Sequence, residues 1–384
     1  MAGMSLQGFL FTWLLVGVLE RPADEAGFAR SLAEFPPLAM LLLGGLFGDR
    51  FNGRSYLSLM HVLVAIPPLL VAAIYLHGSL SYWWVVAFGM LMAGIQSLSD
   101  PARQSMLSRV SVLDLQRSVT IMVICTTLVG QFGVYLGGRL ESVGLETVLA
   151  AQSALFIFGL VATRALPSMP VTHPGKQERP RIVEGLRIVW QTPLIRNIIG
   201  LNFISSLFNA GAYIIGLPYI VREVYFGDAA FYAAVMIVFS LGSIGSNIVL
   251  LYFMPLSYPG RLYLVLQLTR IGILGLLWLQ PSLWLFYLLM LAWGLNMGVT
   301  STLVRTTVQE LADAKHRSQI LSVLLFSFIV SSPISSILLG LLIAQSTPMT
   351  ALLPGIVMSL LIFIVGVTRS GLWGYRSASA EAAA

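Results

Sequence analysis

Twelve apolar segments, each close to the length needed to cross a bilayer, follow one another through this chain with short polar breaks. They lie at about 1–19, 28–48, 56–76, 80–98, 118–138, 145–163, 195–217, 231–253, 262–280, 283–303, 318–344 and 350–368. A hydrocarbon core takes about 20 helical residues to span. Inside it there is no water for the backbone to bond, so each span must satisfy its own N–H and C=O groups as a helix. Composition agrees. Charged residues are 10% of the 384 and hydrophobic residues 57%, with a mean hydropathy of +0.86. Soluble domains carry about 25% charge, and so few charges cannot cover so much apolar surface in water. The expected fold is an all-α integral membrane protein of twelve transmembrane helices in two pseudo-symmetric six-helix halves. Pro36-Pro37, Pro67-Pro68 and Pro333 fall inside spans, where they should kink their helices.

The first span, Met1 to Leu19, is uncharged and barely long enough. It lacks the basic start and the small-residue cleavage site of a secretory signal. Two readings stand: the protein begins at the membrane face, or its true start lies upstream of Met1 and the first helix is truncated.

Basic residues orient the array. With both ends on the cytoplasmic side, 17 of the 22 lysines and arginines fall in cytoplasmic loops and the C-terminal tail. Only Arg21, Arg30, Arg139 and Arg222 face the other side, and Arg270 lies within a span. This is the positive-inside bias, and it accounts for the net charge of +6 without a nucleic-acid partner. The longest polar break divides the chain into a first half at 1–165, a linker at 166–192, a second half at 193–369 and a tail at 370–384. Within the linker, IVEGLRIVW has an amphipathic pattern and should lie along the inner membrane surface. The single cysteine, Cys125, excludes a disulfide within one chain.

The halves echo each other. QRSVTIMVICTTLVG from Gln116 aligns with HRSQILSVLLFSFIV from His316, and GRSYL from Gly53 with GRLYL from Gly260. Paired repeats of this kind are the usual build of secondary transporters, with the site at the repeat interface near mid-membrane.

The break between the second and third spans reads GGLFGDRFNGRSYL. Gly53 permits a tight turn and Gly45 a close helix approach. Asp49 can pair with a basic residue or cap a helix N-terminus, which makes it a candidate latch. Arg50 and Arg54 either join that latch or anchor topology. On these residues the chain resembles the major facilitator superfamily, whose signature here reads roughly G-x-x-x-D-R-x-x-G-R-[RK]. Gly45, Asp49, Arg50, Gly53 and Arg54 match, and Ser55 departs from it. The next inner loop, SDPARQSMLSRV, is similar to the N-P-A-R-Q stretch of the enterobactin exporter and macrolide efflux branch, with Asp100 for asparagine. The resemblance implies a cytoplasmic gate that includes Asp100 and Arg103. In the fifth span Gly133, Gly137 and Gly138 fit the antiporter motif G-x-x-x-G-P-x-x-G-G, while Val129 and Val134 do not. Ordinary helix packing explains those glycines equally well.

Ionisable groups inside a bilayer are functional candidates. Glu34 could exchange a proton, or be held by Arg30 one helical turn earlier. Arg270 could meet an anionic substrate or hold an interhelical network. The resemblance further implies a cavity lined by the first, fourth, seventh and tenth helices. These offer Thr12 and Trp13, Trp84 and Gln96, Asn202, Ser206, Asn209 and Tyr213, and Trp293 and Asn296. Amides and aromatics on apolar helices suit a greasy pocket with a few orienting hydrogen bonds.

The function expected is proton-coupled efflux of amphipathic small molecules, drug-like or siderophore-like, by a monomeric multidrug-type antiporter of the inner membrane. An importer or a lysophospholipid or other lipid transporter on the same fold is the alternative, as is a transport-inactive sensor or scaffold. An enzyme is not expected. His61, His77, His173 and His316 are scattered, and neither H-E-x-x-H nor G-x-S-x-G occurs. No P-loop, cofactor or metal is expected.

Overall fold

A computed structural model describes residues 1–43, 53–110, 115–165, 182–313 and 315–377. They are helical in long stretches: α1 (Ala2–Trp13), α2 (Ala23–Leu43), α3 (Gly53–Leu76), α4 (Tyr82–Val110), α5 (Leu115–Gly137), the short α6 (Leu140–Val143) and α7 (Leu145–Arg164). They continue as α8 (Ile182–Gln191), α9 (Pro193–Gly211), the single turn α10 (Leu217–Tyr219), α11 (Ala229–Phe253), α12 (Pro259–Trp278), α13 (Leu283–Leu311), α14 (Arg317–Ala344) and α15 (Leu352–Arg369). Short π-helical turns prolong α1 to Val18 and join α9 through α10 to Val224.

Among the described residues, nine helical stretches are long and apolar enough to cross a membrane. Three expected spans fall outside that set. Ala2–Val18 is too short, α2 carries Asp24, Glu25, Arg30 and Glu34, and α5 is the third. The helices run through Pro36-Pro37, Pro67-Pro68 and Pro333. Two segments expected as loops are helical. The stretch from Ser99 to Val110 completes α4, and Gly53 is the first residue of α3. Gly260 and Arg261 likewise sit in the first turn of α12, so the repeated GR dipeptides open equivalent helices.

The chain forms two compact units. One comprises 1–177 with 225–234, and the other 178–224 with 235–384. In the first unit α1 packs on α5, α3 on α7 and α3 on α4. In the second, α9 packs on α14, α12 on α15 and α12 on α13. The same pairing order recurs, as the sequence echo suggests. Helix α11 starts in the first unit and continues in the second.

Within the first unit, glycines decide how closely α5 meets α1. A Cβ on Gly133 would collide with the carbonyl of Ala2, and one on Gly137 with the ring of Phe9. Gly130 instead faces the hydroxyl of Ser5, which can rotate away. These glycines therefore serve packing. Gly133→Ala is expected to cost about 1–3 kcal/mol by overpacking. Gly130→Ala should be neutral, because any crowding is offset by alanine's better helix propensity. Thermal unfolding of the purified variants checks the contrast.

In the second unit α8 docks on α14. Gly185 faces Gln319 and Val323, Val189 is buried, and the Gln319 amide donates to Glu184 at 3.2 Å. Val183, Leu186 and Trp190 remain exposed along one side. The amphipathic pattern of IVEGLRIVW is thus divided between a docked face and an open apolar edge.

Candidate functional site

Three helices of the second unit turn polar residues toward one another. On α9, Asn202, Ser205 and Asn209 recur at helical spacing and are all buried. On α12 the equivalent series is Tyr263, Gln267 and Arg270, and on α13 it is Trp293, Asn296 and Thr300. Spacings of three and four residues place each series on one helix face.

Arg270 ties the three together. It is 1% exposed. Its Nε donates to Asn296 Oδ1 at 2.9 Å and its Nη1 to Ser205 Oγ at 2.6 Å and Gln267 Oε1 at 3.3 Å. Its Nη2 donates to Thr300 Oγ1 at 3.1 Å. Every one of these acceptors is neutral. Asn296 is fixed in turn, its Nδ2 donating to the Leu266 carbonyl at 2.8 Å and to Thr269 Oγ1 at 2.9 Å. Arg270 thus joins α9, α12 and α13 in one hydrogen-bond network.

The other expected cavity residues of this unit lie nearby in sequence but play different parts. Asn209 donates to the Ser205 carbonyl at 2.9 Å, and Ser206 is half-buried. Tyr213, Phe239 and Trp293 form an aromatic triad, with centroids 4.3 Å apart for Tyr213–Phe239 and 5.8 Å for Phe239–Trp293. The amide nitrogen of Asn202 and the indole nitrogen of Trp293 are buried without a hydrogen-bond partner. Buried donors are rarely left so.

A cleft of about 600 Å³ opens between α13 and α14. Arg305, Ser301, Thr302 and Thr306 line it from α13, and Ser318, Ser322, Leu321 and Phe328 from α14. In the sequence, Arg305 is one of the 17 basic residues expected on the cytoplasmic side, and the hydroxyls around it carry no signal of their own.

In the first unit, Arg30 Nε and Glu34 Oε1 pair at 2.7 Å, the i,i+4 partnership weighed above. Asp100 and Arg103 pair at 2.6 Å within α4. Trp13 is fully buried and stacks between Phe9 and Tyr232. Gln96 is half-buried, and Arg54 lies in the first turn of α3. Gly45, Asp49 and Arg50 lie outside the described residues. Gln152, which the sequence reading missed, is fully buried and donates to Gln7 Oε1 at 2.8 Å and the Gly3 carbonyl at 3.1 Å, fastening α7 to α1. Among the described residues no cluster of histidine, cysteine and carboxylates is arranged for a metal ion.

The model of the Major Facilitator Superfamily matches residues 1–336. This chain belongs to the Major Facilitator Superfamily. Solved structures with a similar fold are transporters. One is a bacterial homologue of the iron transporter ferroportin in an inward-facing state (TM-score 0.75, 12% identity, covering 96% of this chain and 95% of that one). Another is the nucleoside transporter NupG (0.72, 14%, 97% and 98%). A third is a bacterial homologue of the human lysosomal transporter Spinster, inward-facing and unoccupied (0.71, 14%, 97% and 93%). Identities this low speak for the fold alone. No curated protein matched. Membership places the chain among integral membrane transporters and not among enzymes, and it gives the buried polar network a transporter's scaffold to act in.

Proposed function

We propose that this Major Facilitator Superfamily chain is a secondary active transporter that expels amphipathic small molecules in exchange for protons by alternating access. On this reading twelve helices cross the cell membrane in two halves, with both termini in the cytoplasm. The observation that carries it is the second unit's site, in which a polar network and an aromatic triad are set into helices that are otherwise apolar. Such a surface offers grease for the body of a substrate and a few hydrogen bonds to orient it. The export direction rests on the resemblance of SDPARQSMLSRV to the enterobactin exporter and macrolide efflux branch, and the Asp100–Arg103 pair gives that stretch a defined geometry. Arg50, Asp49 and their neighbours would form the gate on the same side. Glu34, which pairs with Arg30, and Arg270 are the candidate coupling residues.

Intracellular retention of a panel of lipophilic anions, lipophilic cations, macrolides and catecholate siderophores tests this. Cells expressing the intact protein should retain at least one panel member several-fold less than control cells. A protonophore or Asp49→Asn should abolish the difference. Unchanged retention across the panel, with the protein present in the membrane, would remove the efflux reading.

A further inference from the structure

Charge in the second unit is mostly basic. Among its described residues the acidic ones are Glu184, which accepts from Gln319 of α14, and Glu223, Glu310 and Asp313. Each lies at or just beyond a helix end. None lines the cleft between α13 and α14, where Arg305, itself exposed, is the one charged residue among those described. Arg305 forms no ion pair among the described residues. The buried cation of the unit, Arg270, is likewise met only by neutral acceptors. A ligand that carries a positive charge would find repulsion here and no carboxylate to answer it.

The remaining lining fits the complementary ligand. Ser322 donates to the Ser318 carbonyl at 2.9 Å, Ser301 to the Gly298 carbonyl at 3.0 Å, and Thr306 to the Thr302 carbonyl at 2.9 Å. Helix carbonyls also accept from the backbone N–H four residues on, so a hydroxyl proton can turn to a ligand without orphaning a group. Leu321, Leu325 and Phe328 give the same cleft an apolar wall. Its volume of about 600 Å³ lies in the range of small-molecule sites.

We propose that this cleft takes an amphipathic monoanion, with a carboxylate, sulfonate or phosphate-ester head on Arg305 and the cleft hydroxyls, and an apolar body along Leu321, Leu325 and Phe328. Position alone, near the end of α13, would make Arg305 an anchor of topology; the cleft gives it a ligand. Calling the ligand a substrate rests on the transport reading above.

The test uses the intact protein in nanodiscs of phosphatidylcholine. Two fluorescent probes are compared: dansyl-aminoundecanoate, and the matched dansyl amphipath ending in trimethylammonium. Binding is the saturable dansyl signal above that of empty nanodiscs. The anion should saturate and the cation should not. Arg305→Gln should weaken the anion about tenfold or more, the loss of a charged hydrogen bond, and Arg305→Lys by no more than about threefold. Ser322→Phe fills the cleft without touching a charge and should also abolish saturable binding, so the result does not hang on one variant's folding. Equal binding of the cation, or of the anion to Arg305→Gln, overturns the assignment. Displacement of the probe by phosphatidylglycerol overturns its reading as a solute site and makes the cleft a lipid head-group site. Arg305-dependent binding without flux in proteoliposomes would keep the site and overturn the transport reading.

Discussion

Arg270→Lys is expected to destabilise this protein more than Arg270→Met, although lysine keeps the charge. The guanidinium reaches three helices at once, bonding Asn296 and Thr300 on α13, Ser205 on α9 and Gln267 on its own helix. Its planar fork fixes donors in several directions, whereas an ammonium is a compact point that cannot span them. Lysine would therefore retain the whole cost of a buried charge while leaving some acceptors unmet. Methionine removes that cost and fills much of the volume, at the expense of Asn296 Oδ1 and Gln267 Oε1. Thr300 fares better, because its hydroxyl already donates to the Asn296 carbonyl at 2.8 Å. Replacing buried ionic groups by apolar side chains of similar size is often neutral or favourable by about 1–4 kcal/mol. The gap between methionine and lysine should be of that order. Alanine should fall about 2 kcal/mol or more below methionine, because it leaves a cavity. Thermal unfolding midpoints in a single detergent rank the variants. Lysine outlasting methionine would show that the charge itself is stabilised there, by a counter-ion that the four neutral acceptors do not provide.

Arg270 and Asn296 were legible in the sequence, whereas Ser205, Gln267 and Thr300 were not, and the difference is physical. An arginine in a run such as QLTRIGILG breaks the apolar pattern by itself. Serine and threonine do not, because their hydroxyls can bond back to the helix that carries them, so Ser205 and Thr300 read as ordinary. Only the rotation of three helices about their axes brings them to one guanidinium. The same limit hid the hydroxyls around Arg305. Glu34 lay at the opposite extreme. Its partner stands four residues away on the same helix, so the Arg30 pair needed no tertiary information. The spans were read from hydropathy, and nine of them recur as long apolar helices among the described residues; charge dilutes the signal in α2, Ala2–Val18 is short, and α5 also falls outside that set. The signature loop drew attention through Asp49 and Arg50, yet its geometry is not something a motif can supply.

Tyr232→Ala is expected to loosen residues 225–234, which include the first turns of α11, within the first unit. Tyr232 is 3% exposed. Its ring lies 5.2 Å from that of Phe9 and 5.4 Å from that of Trp13, centroid to centroid, and both partners are fully buried. Its hydroxyl bonds Thr12. Ala229 N–H donates to Glu141 at 3.2 Å, and Ala233 packs on Gly138. Truncating a buried aromatic costs about 3–5 kcal/mol. The rest of α11 belongs to the second unit, so that cost should fall on the attachment of 225–234 and not on the whole molecule. Each 1.4 kcal/mol is a factor of ten in the opening equilibrium, and local opening is what amide exchange reads. Hydrogen–deuterium exchange of peptides covering 225–238 should speed up about a hundredfold or more, while peptides from α12 and α13 stay unchanged. Tyr232→Phe keeps the stacked ring and loses only the hydroxyl's bond to Thr12, so it should exchange within about tenfold of the parent. Uniform acceleration along the chain would instead mean that Tyr232 is an ordinary core residue whose loss loosens everything. No acceleration at all would mean that the backbone of α11 is held by its second-unit portion alone.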